Sequence, residues 1–152
     1  MVKVILKVDS QKLPHLSEKM PKIRKKGLKL TGQGLIGELT KNSPVDEGLL
    51  RQWFIAQQSD EEIHIHTPAR YAPWVNDGTG VYAGKGIIRP KSGKFLVFKP
   101  GKKWKGRVSK KGLVFLRYSK GQKGQKFVEK SIEATKNRIG GYFKIAIREA
   151  LE

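Results

Sequence analysis

Several short stretches of the chain alternate apolar and polar residues, and this period of two is typical of β-strands. Residues 2–8 read VKVILKV and residues 63–67 read IHIHT. Residues 49–58 (LLRQWFIAQQ) are rich in aromatic and branched residues, so we expect them to form a hairpin with residues 63–67 around the polar turn at 59–62. Residues 69–75 predict a short helix or turn. Further short strands are predicted at residues 87–90, 95–98 and 113–118.

A helix is predicted between the first two strands, because apolar and small residues recur there every three or four positions. The residues of this face are Leu13, Leu16, Met20, Ile23, Gly27, Leu30 and Gly34. Pro21 suits a first helical turn, and Pro44 disfavours helical backbone in the residue before it. We therefore expect the helix to end before Pro44. Core packing is the expected role of the face, and a groove for a partner is the alternative.

A second helix is predicted from about Phe127 to Leu151, with a bend at Gly140–Gly141. Its apolar stripe consists of Val128, Ile132, Ile139, Phe143, Ala146, Ile147 and Ala150. The order of elements predicts an α+β fold, with an antiparallel sheet of about four to five strands packed against the N-terminal and the C-terminal helix. We expect a single domain over residues 1–152, with a basic mobile loop around residues 99–112 and a linker at Gly121–Lys126.

Charge changes this picture, because the net charge is +19 and is unevenly distributed. No acidic residue lies between Asp77 and Glu129, whereas that interval holds fifteen Lys and Arg. A block of one sign repels itself unless an anion faces it, so we expect a polyanion or an acidic protein as partner. The candidate contact residues are Lys85, Arg89, Lys91, Lys94, Lys99, Lys102, Lys103, Trp104, Lys105, Arg107, Lys110 and Lys111.

Aromatic residues are interspersed in the basic block, where they could stack on bases while lysines neutralise phosphates. Phe95, Phe98 and Phe115 also fit the alternation of strands, so we interpret them as inward-facing. Trp104 lies within the sequence Lys-Lys-Trp-Lys, where a core position is least expected. We interpret it as a residue that anchors its loop to a neighbouring subunit.

Signals of catalysis are weak. The chain has no cysteine, which excludes disulfides, thiolate metal sites and a thiol nucleophile. His64 and His66 share a strand face near the acidic residues 60–62, so a metal pair or a small basic nuclease is an alternative; a solvent-facing edge strand is the more ordinary interpretation. Neither a nucleophile elbow nor a phosphate-binding loop occurs. We expect no enzyme activity, no cofactor, no metal, no membrane span and no export signal.

Three segments carry a resemblance to a known family: Ser43–Arg51 (SPVDEGLLR), Tyr71–Gly80 (YAPWVNDGTG) and Gly121–Val128 (GQKGQKFV). In order and spacing they resemble the tail-component family of siphophages, whose members act in head–tail joining and tail completion. The matching residues are Pro44, Val45, Asp46, Gly48, Leu50, Arg51, Tyr71, Ala72, Val75, Gly78, Thr79 and Phe127. The chain departs from the family pattern at Glu47, at Asn76–Asp77 and at Gln125–Lys126.

The motif residues have a structural interpretation of their own. Pro44 ends a helix, Asp46 can accept backbone hydrogen bonds in a turn, and Gly48 can supply a positive φ. Leu50 should begin the inward face of a strand, with Arg51 facing out or pairing with a carboxylate. Residues 77–79 predict a second tight turn.

The resemblance implies a structural assembly protein in the neck of a tailed bacteriophage, made in the host cytoplasm and incorporated in the virion. It implies a homo-oligomeric ring around the DNA channel, with a monomer as an alternative state of the isolated protein. Connector or tail-terminator proteins are the implied partners, and non-specific DNA contact would suit the basic block. A nucleic-acid-binding module outside the virion is the alternative function.

Overall fold

The computed structural model describes residues 3–7, 18–45, 48–59, 61–101 and 104–151. Contacts group the chain into two compact units: unit 1 comprises residues 1–76 and 126–152, and unit 2 comprises residues 77–125. Residues outside the described ranges include several that the sequence pattern singled out. They are Leu13, Leu16, Asp46, Glu47, Asp60, Lys102 and Lys103.

Unit 1 contains a three-stranded antiparallel sheet in the order β1-β3-β2. The strands are β1 (Lys3–Lys7), β2 (Phe54–Gln58) and β3 (Glu62–His66). β2 and β3 form the predicted hairpin, closed where the Ser59 N–H donates to the Glu62 carbonyl at 2.8 Å. Ile63 and Ile65 of β3 are fully buried, because their alternate positions point to the core.

Helix α1 (Met20–Asn42) forms one wall of the core of unit 1, and it ends before Pro44 as predicted. Its buried side follows a helical stripe of Ile23, Gly27, Leu28, Thr31, Gly32, Leu35, Glu38 and Leu39. Leu35 and Leu39 are almost inaccessible, and burying such a side chain contributes about 1.5–3 kcal/mol. Gly27 permits a close approach, since a Cβ there would lie 2.6 Å from the ring of Phe143.

The strand predicted over residues 49–58 is wrong in its first half. Leu49–Arg51 form a 3-10 turn that follows Gly48, whose φ is +83°. Leu50 is buried in this turn rather than in a strand, and Arg51 is exposed. Tertiary contacts explain the difference: the Trp53 indole N–H donates to Ser43 Oγ at 3.2 Å, which draws the chain back to the end of α1.

The single C-terminal helix is also wrong, because two helices occur: α3 (Phe127–Lys136) and α4 (Ile139–Leu151). The break lies at residues 137–138 and not at Gly140–Gly141, which are inside α4. Ser131 and Thr135 donate their hydroxyls to the carbonyls four residues back, a pattern that bends helices. The Arg138 guanidinium then donates to Glu38 Oε1 of α1 at 3.0 Å, which fixes the new direction.

Asn76 connects the short helix α2 (Ala72–Asp77) to the start of α3. Its backbone carbonyl accepts from the Lys126 N–H at 3.0 Å, and its Oδ1 accepts from the Val128 N–H at 3.0 Å. Its Nδ2 donates to Glu129 Oε1 at 3.2 Å. Lys126, the residue before α3, provides no side-chain cap. Asn76 therefore caps α3 from a position 52 residues before Val128 in the chain.

Unit 2 contains the remaining strands, β4 (Leu96–Phe98) and β5 (Val114–Leu116), which pair with each other antiparallel. The prediction of one sheet with four to five strands is therefore wrong, whereas a mixture of helices with antiparallel strands is confirmed. The described helices include none that is long and apolar enough to cross a membrane.

We expect Asn76→Ala to lower the free energy of unfolding by about 1–2 kcal/mol, because the buried Val128 N–H would lose its acceptor. Chemical denaturation measures this cost, and amide exchange at Val128 locates it. Asn137→Ala is the control: this exposed residue follows α3, and its substitution should change stability by about 0.5 kcal/mol or less. Equal destabilisation by the two substitutions would contradict the capping role.

Candidate nucleic-acid interface

A ladder of backbone hydrogen bonds joins the first and the last segment of unit 2. The Thr79 N–H donates to the Gln122 carbonyl at 2.8 Å, and the Val81 N–H donates to the Lys120 carbonyl at 2.9 Å. The Thr79 hydroxyl also accepts from the Gln122 N–H at 2.8 Å. The segments around residues 79 and 121 are thus one paired structure, and the linker predicted at residues 121–126 is wrong for its first part.

Glycine is required where the two segments of the ladder meet. Gly78 has a φ of +88°, and Gly121 has a φ of +89°. A Cβ on Gly78 would lie 2.6 Å from the Gln122 carbonyl oxygen, and a Cβ on Gly121 would collide with the Thr79 carbonyl. Each position therefore excludes other residues both by conformation and by space.

Beyond the ladder, unit 2 continues as a pair of opposed strands. Ile88 and Ser119 exchange backbone hydrogen bonds at 2.8 and 2.9 Å. The strand predicted at residues 87–90 is therefore reduced to this single bridge. β4 and β5 follow, with Val97 opposite Phe115 in the register.

The phenylalanines of this hairpin are exposed, which contradicts the inward-facing interpretation. Phe95, Phe98 and Phe115 expose 43%, 38% and 50% of their surface. Phe95 and Phe115 pack edge to face with ring centroids 6.4 Å apart. With the exposed Val97 they form an apolar face. Alternation predicted that two faces exist, but unit 2 buries only one side chain of its strands well, that of Val114.

Trp104 lies on the other side of β4, where its ring packs edge to face on Phe98 at 5.6 Å. A turn positions it, since the Trp104 N–H donates to the Gly101 carbonyl at 3.0 Å. The indole remains 40% exposed, as expected for a residue outside the core. It can therefore present an edge or part of its face to a partner.

The basic candidates lie near these aromatic residues in the sequence, and the nine that the structure describes are exposed. The exposed residues are Lys85, Arg89, Lys91, Lys94, Lys99, Lys105, Arg107, Lys110 and Lys111. None of the described Lys and Arg side chains from 85 to 123 lies within ion-pair distance of a carboxylate of the described chain. Exposed cations can neutralise phosphates, and exposed aromatic rings can stack on bases; phosphate contacts carry no sequence information.

The motif residues of the resemblance are positioned as structural elements. Those buried or half-buried are Pro44, Gly48, Leu50, Tyr71, Ala72, Val75, Gly78, Thr79 and Phe127. Val45 is 64% exposed, and Arg51 is exposed as well. The described motif residues lie after the end of α1, in α2, at the start of α3 and in the ladder of unit 2.

The interpretation of His64 and His66 as residues of a solvent-facing edge strand is wrong, because β3 is the central strand of its sheet and both side chains are half-buried. His64 Nε2 lies 3.1 Å from Glu62 Oε1, and His66 packs edge to face on Phe54 at 4.0 Å. Among the described residues, no three His, Cys, Asp or Glu side chains form a group that could hold a metal ion.

Sequence reasoning missed part of the surface and the residue that caps α3. Val97 shares the exposed face of Phe95, which a period of two could have indicated. Asn76 had no such signal, because its partners lie fifty residues later.

Comparison of the chain with protein-family models, curated proteins and solved structures found no match.

We expect Gly78→Ala to open the ladder of unit 2, because the new Cβ meets backbone atoms that cannot move away cheaply. Amide exchange at Thr79 and Val81 should accelerate by about tenfold or more, a cost of about 1.4 kcal/mol. Gly93→Ala is the matched control, since Gly93 also has a positive φ but no neighbour within 4 Å of its Cβ. Equal effects would indicate that only backbone strain matters.

Proposed function

We propose that the chain is a non-catalytic assembly subunit of a tailed bacteriophage that acts where the tail joins the head. One observation carries the proposal. The motif residues Gly78 and Thr79 build the ladder that closes unit 2, and unit 2 is the part of the chain where basic residues concentrate. The resemblance and the charge therefore meet in one structural element.

A structural role is supported by what the motif residues do. Pro44 follows the end of α1, and Leu50 and Phe127 are buried in the core of unit 1. A subunit that must present a fixed shape to its neighbours is expected to have motif residues with structural roles.

The basic surface of unit 2 suits DNA that must slide. Unit 2 holds fourteen Lys and Arg and a single acidic residue, Asp77. Contacts of exposed ammonium groups to phosphates carry no sequence information, and they are individually weak in solvent. A lining of this kind binds any DNA sequence and does not hold one register.

The neck location further implies a ring of identical subunits with connector or tail-terminator proteins as neighbours. The exposed Phe95, Val97 and Phe115 provide an apolar face that suits contact with such a neighbour. In this arrangement the face would be covered, and the lysines around it would remain available to DNA.

The second candidate is a nucleic-acid-binding module that acts outside the virion. The exposure of Phe98 and Trp104 beside exposed lysines favours it, because single-stranded bases stack on such rings. In this case the aromatic residues would contact bases and would not pack against a neighbouring subunit.

Assembly tests the first candidate. Size measurement by mass photometry, with electron microscopy of the same samples, should detect closed rings when the protein is mixed with the proteins encoded beside its gene. Phe95→Ser/Phe115→Ser should reduce ring formation, because it removes the apolar face, whereas Trp74→Ser should not. Trp74 is the control because it is an exposed aromatic residue of α2. A monomer that persists with every neighbour would overturn the proposal.

DNA binding tests the contact chemistry. Affinity for a DNA duplex, measured by fluorescence anisotropy, should fall steeply between about 50 and 200 mM NaCl. A variant of unit 2 with four neutralised cations should flatten the dependence of log K on log salt by about 0.9 for each phosphate that the protein no longer neutralises. This variant is Lys105→Gln/Arg107→Gln/Lys110→Gln/Lys111→Gln.

The control removes the same charge from exposed helical lysines of unit 1: Lys41, Lys130, Lys136 and Lys144. It should leave the slope nearly unchanged, and an equal effect would show that net charge alone is responsible. Trp104→Ala distinguishes the two candidates. A loss of about tenfold for a single strand, with little loss for the duplex, would favour the module outside the virion.

A further inference from the structure

A second basic surface lies on unit 1, in a cleft of about 370 Å³ between α1 and α4. Its walls and floor are formed chiefly by six residues: Lys22, Lys25, Lys26, Lys29, Ala146 and Ala150. Gln58 closes one end, where its Nε2 donates to the Lys25 carbonyl at 3.1 Å. The cleft belongs neither to the motif segments nor to unit 2.

The four lysines are spaced at i, i+3, i+4 and i+7, so they lie along one face of α1 over about 10 Å. One carboxylate enters the cleft: Glu149 of α4, whose Oε2 lies 2.8 Å from Lys26 Nζ. Within the described chain, Lys22, Lys25 and Lys29 have no carboxylate partner. Like charges at this spacing oppose one another, so a bound anion would stabilise the arrangement.

The shape of the cleft favours a peptide over a nucleic acid. Ala146 and Ala150 give it a small apolar floor, and the methylene stems of the lysines give it apolar walls. Its volume suits a few side chains and not a duplex. No aromatic ring is among the described residues that line it, so bases would find no stacking surface there.

The ion pair inside the cleft indicates which anion fits. The carboxylate of Glu149 already bonds Lys26 at the distance of a charge-assisted hydrogen bond. Carboxylates on a partner could meet Lys22, Lys25 and Lys29 in the same way, while an apolar side chain between them covers the alanines. Such a pairing of charge and shape determines specificity more than raw affinity.

We propose that this cleft is a docking site for an acidic protein segment that carries an apolar side chain between its carboxylates. The proposal rests on α1 and α4 alone and does not depend on the phage assignment. It would add a protein-binding site on unit 1 to the DNA-contacting surface proposed for unit 2.

The experiment uses the full chain and a labelled synthetic peptide of glutamates with a central leucine. Anisotropy should detect binding that weakens with salt. Lys25→Glu/Lys29→Glu should reduce the affinity by about tenfold, since two attractions become repulsions. Replacing the leucine by serine should weaken binding by about fivefold, because the alanine floor loses its apolar contact. Lys25→Gln/Lys29→Gln adds no repulsion, so it should reduce the affinity for the peptide less than Lys25→Glu/Lys29→Glu does.

The control is Lys130→Glu/Lys144→Glu, which changes the net charge equally at exposed helical sites outside the cleft. It should alter peptide affinity less than twofold, and an equal loss would overturn the proposal. Indifference to the serine replacement would overturn it too. If Lys25→Glu/Lys29→Glu reduced the affinity for duplex DNA more than the affinity for the peptide, the cleft would be assigned to nucleic acid. A change of oligomeric state without peptide would assign it to a second copy of the chain.

Discussion

The hydrogen bonds of Asn76 are the constraint on which the arrangement of the chain depends. The chain leaves unit 1 after Asn76 and returns to it at Lys126, and the backbone of these two residues is hydrogen-bonded at 3.0 Å. The Asn76 side chain then starts α3 by accepting from Val128. Because α3 begins there, Phe127 is placed in the core, where its ring packs edge to face on Trp53. These hydrogen bonds therefore hold the two segments of unit 1 together, although unit 2 separates them in the sequence.

Within unit 2, backbone pairing replaces a hydrophobic core. The ladder around Thr79 and Gln122 and the bridge between Ile88 and Ser119 hold the segment by main-chain hydrogen bonds. A segment with fourteen cations buries little apolar surface, because its long side chains stay in water. The rings that could have formed a core are therefore exposed. This is why one element presents both charge and aromatic surface.

Local signals predicted part of the fold. The end of α1 before Pro44 and the hairpin around residues 59–62 follow from proline geometry and strict alternation, which act over a few residues. Local signals did not predict the 3-10 turn at Leu49–Arg51 or the break after Lys136. Each involves a side-chain contact outside its own segment: Trp53 bonds Ser43, 10 residues earlier, and Arg138 bonds Glu38, 100 residues earlier. Such tertiary contacts override the intrinsic secondary-structure propensity of a segment.

The candidate site was predictable in composition but not in geometry. The absence of acidic residues between Asp77 and Glu129 located the basic surface, whereas alternation alone did not decide which face of β4 would be buried. The pattern of α1 likewise predicted a core face and indicated no role for the lysines opposite it. Those lysines line a cleft only because α4 places Ala146 and Ala150 beside them. Charge from one helix and an apolar floor from another must coincide in space, and such a coincidence appears only in the folded chain.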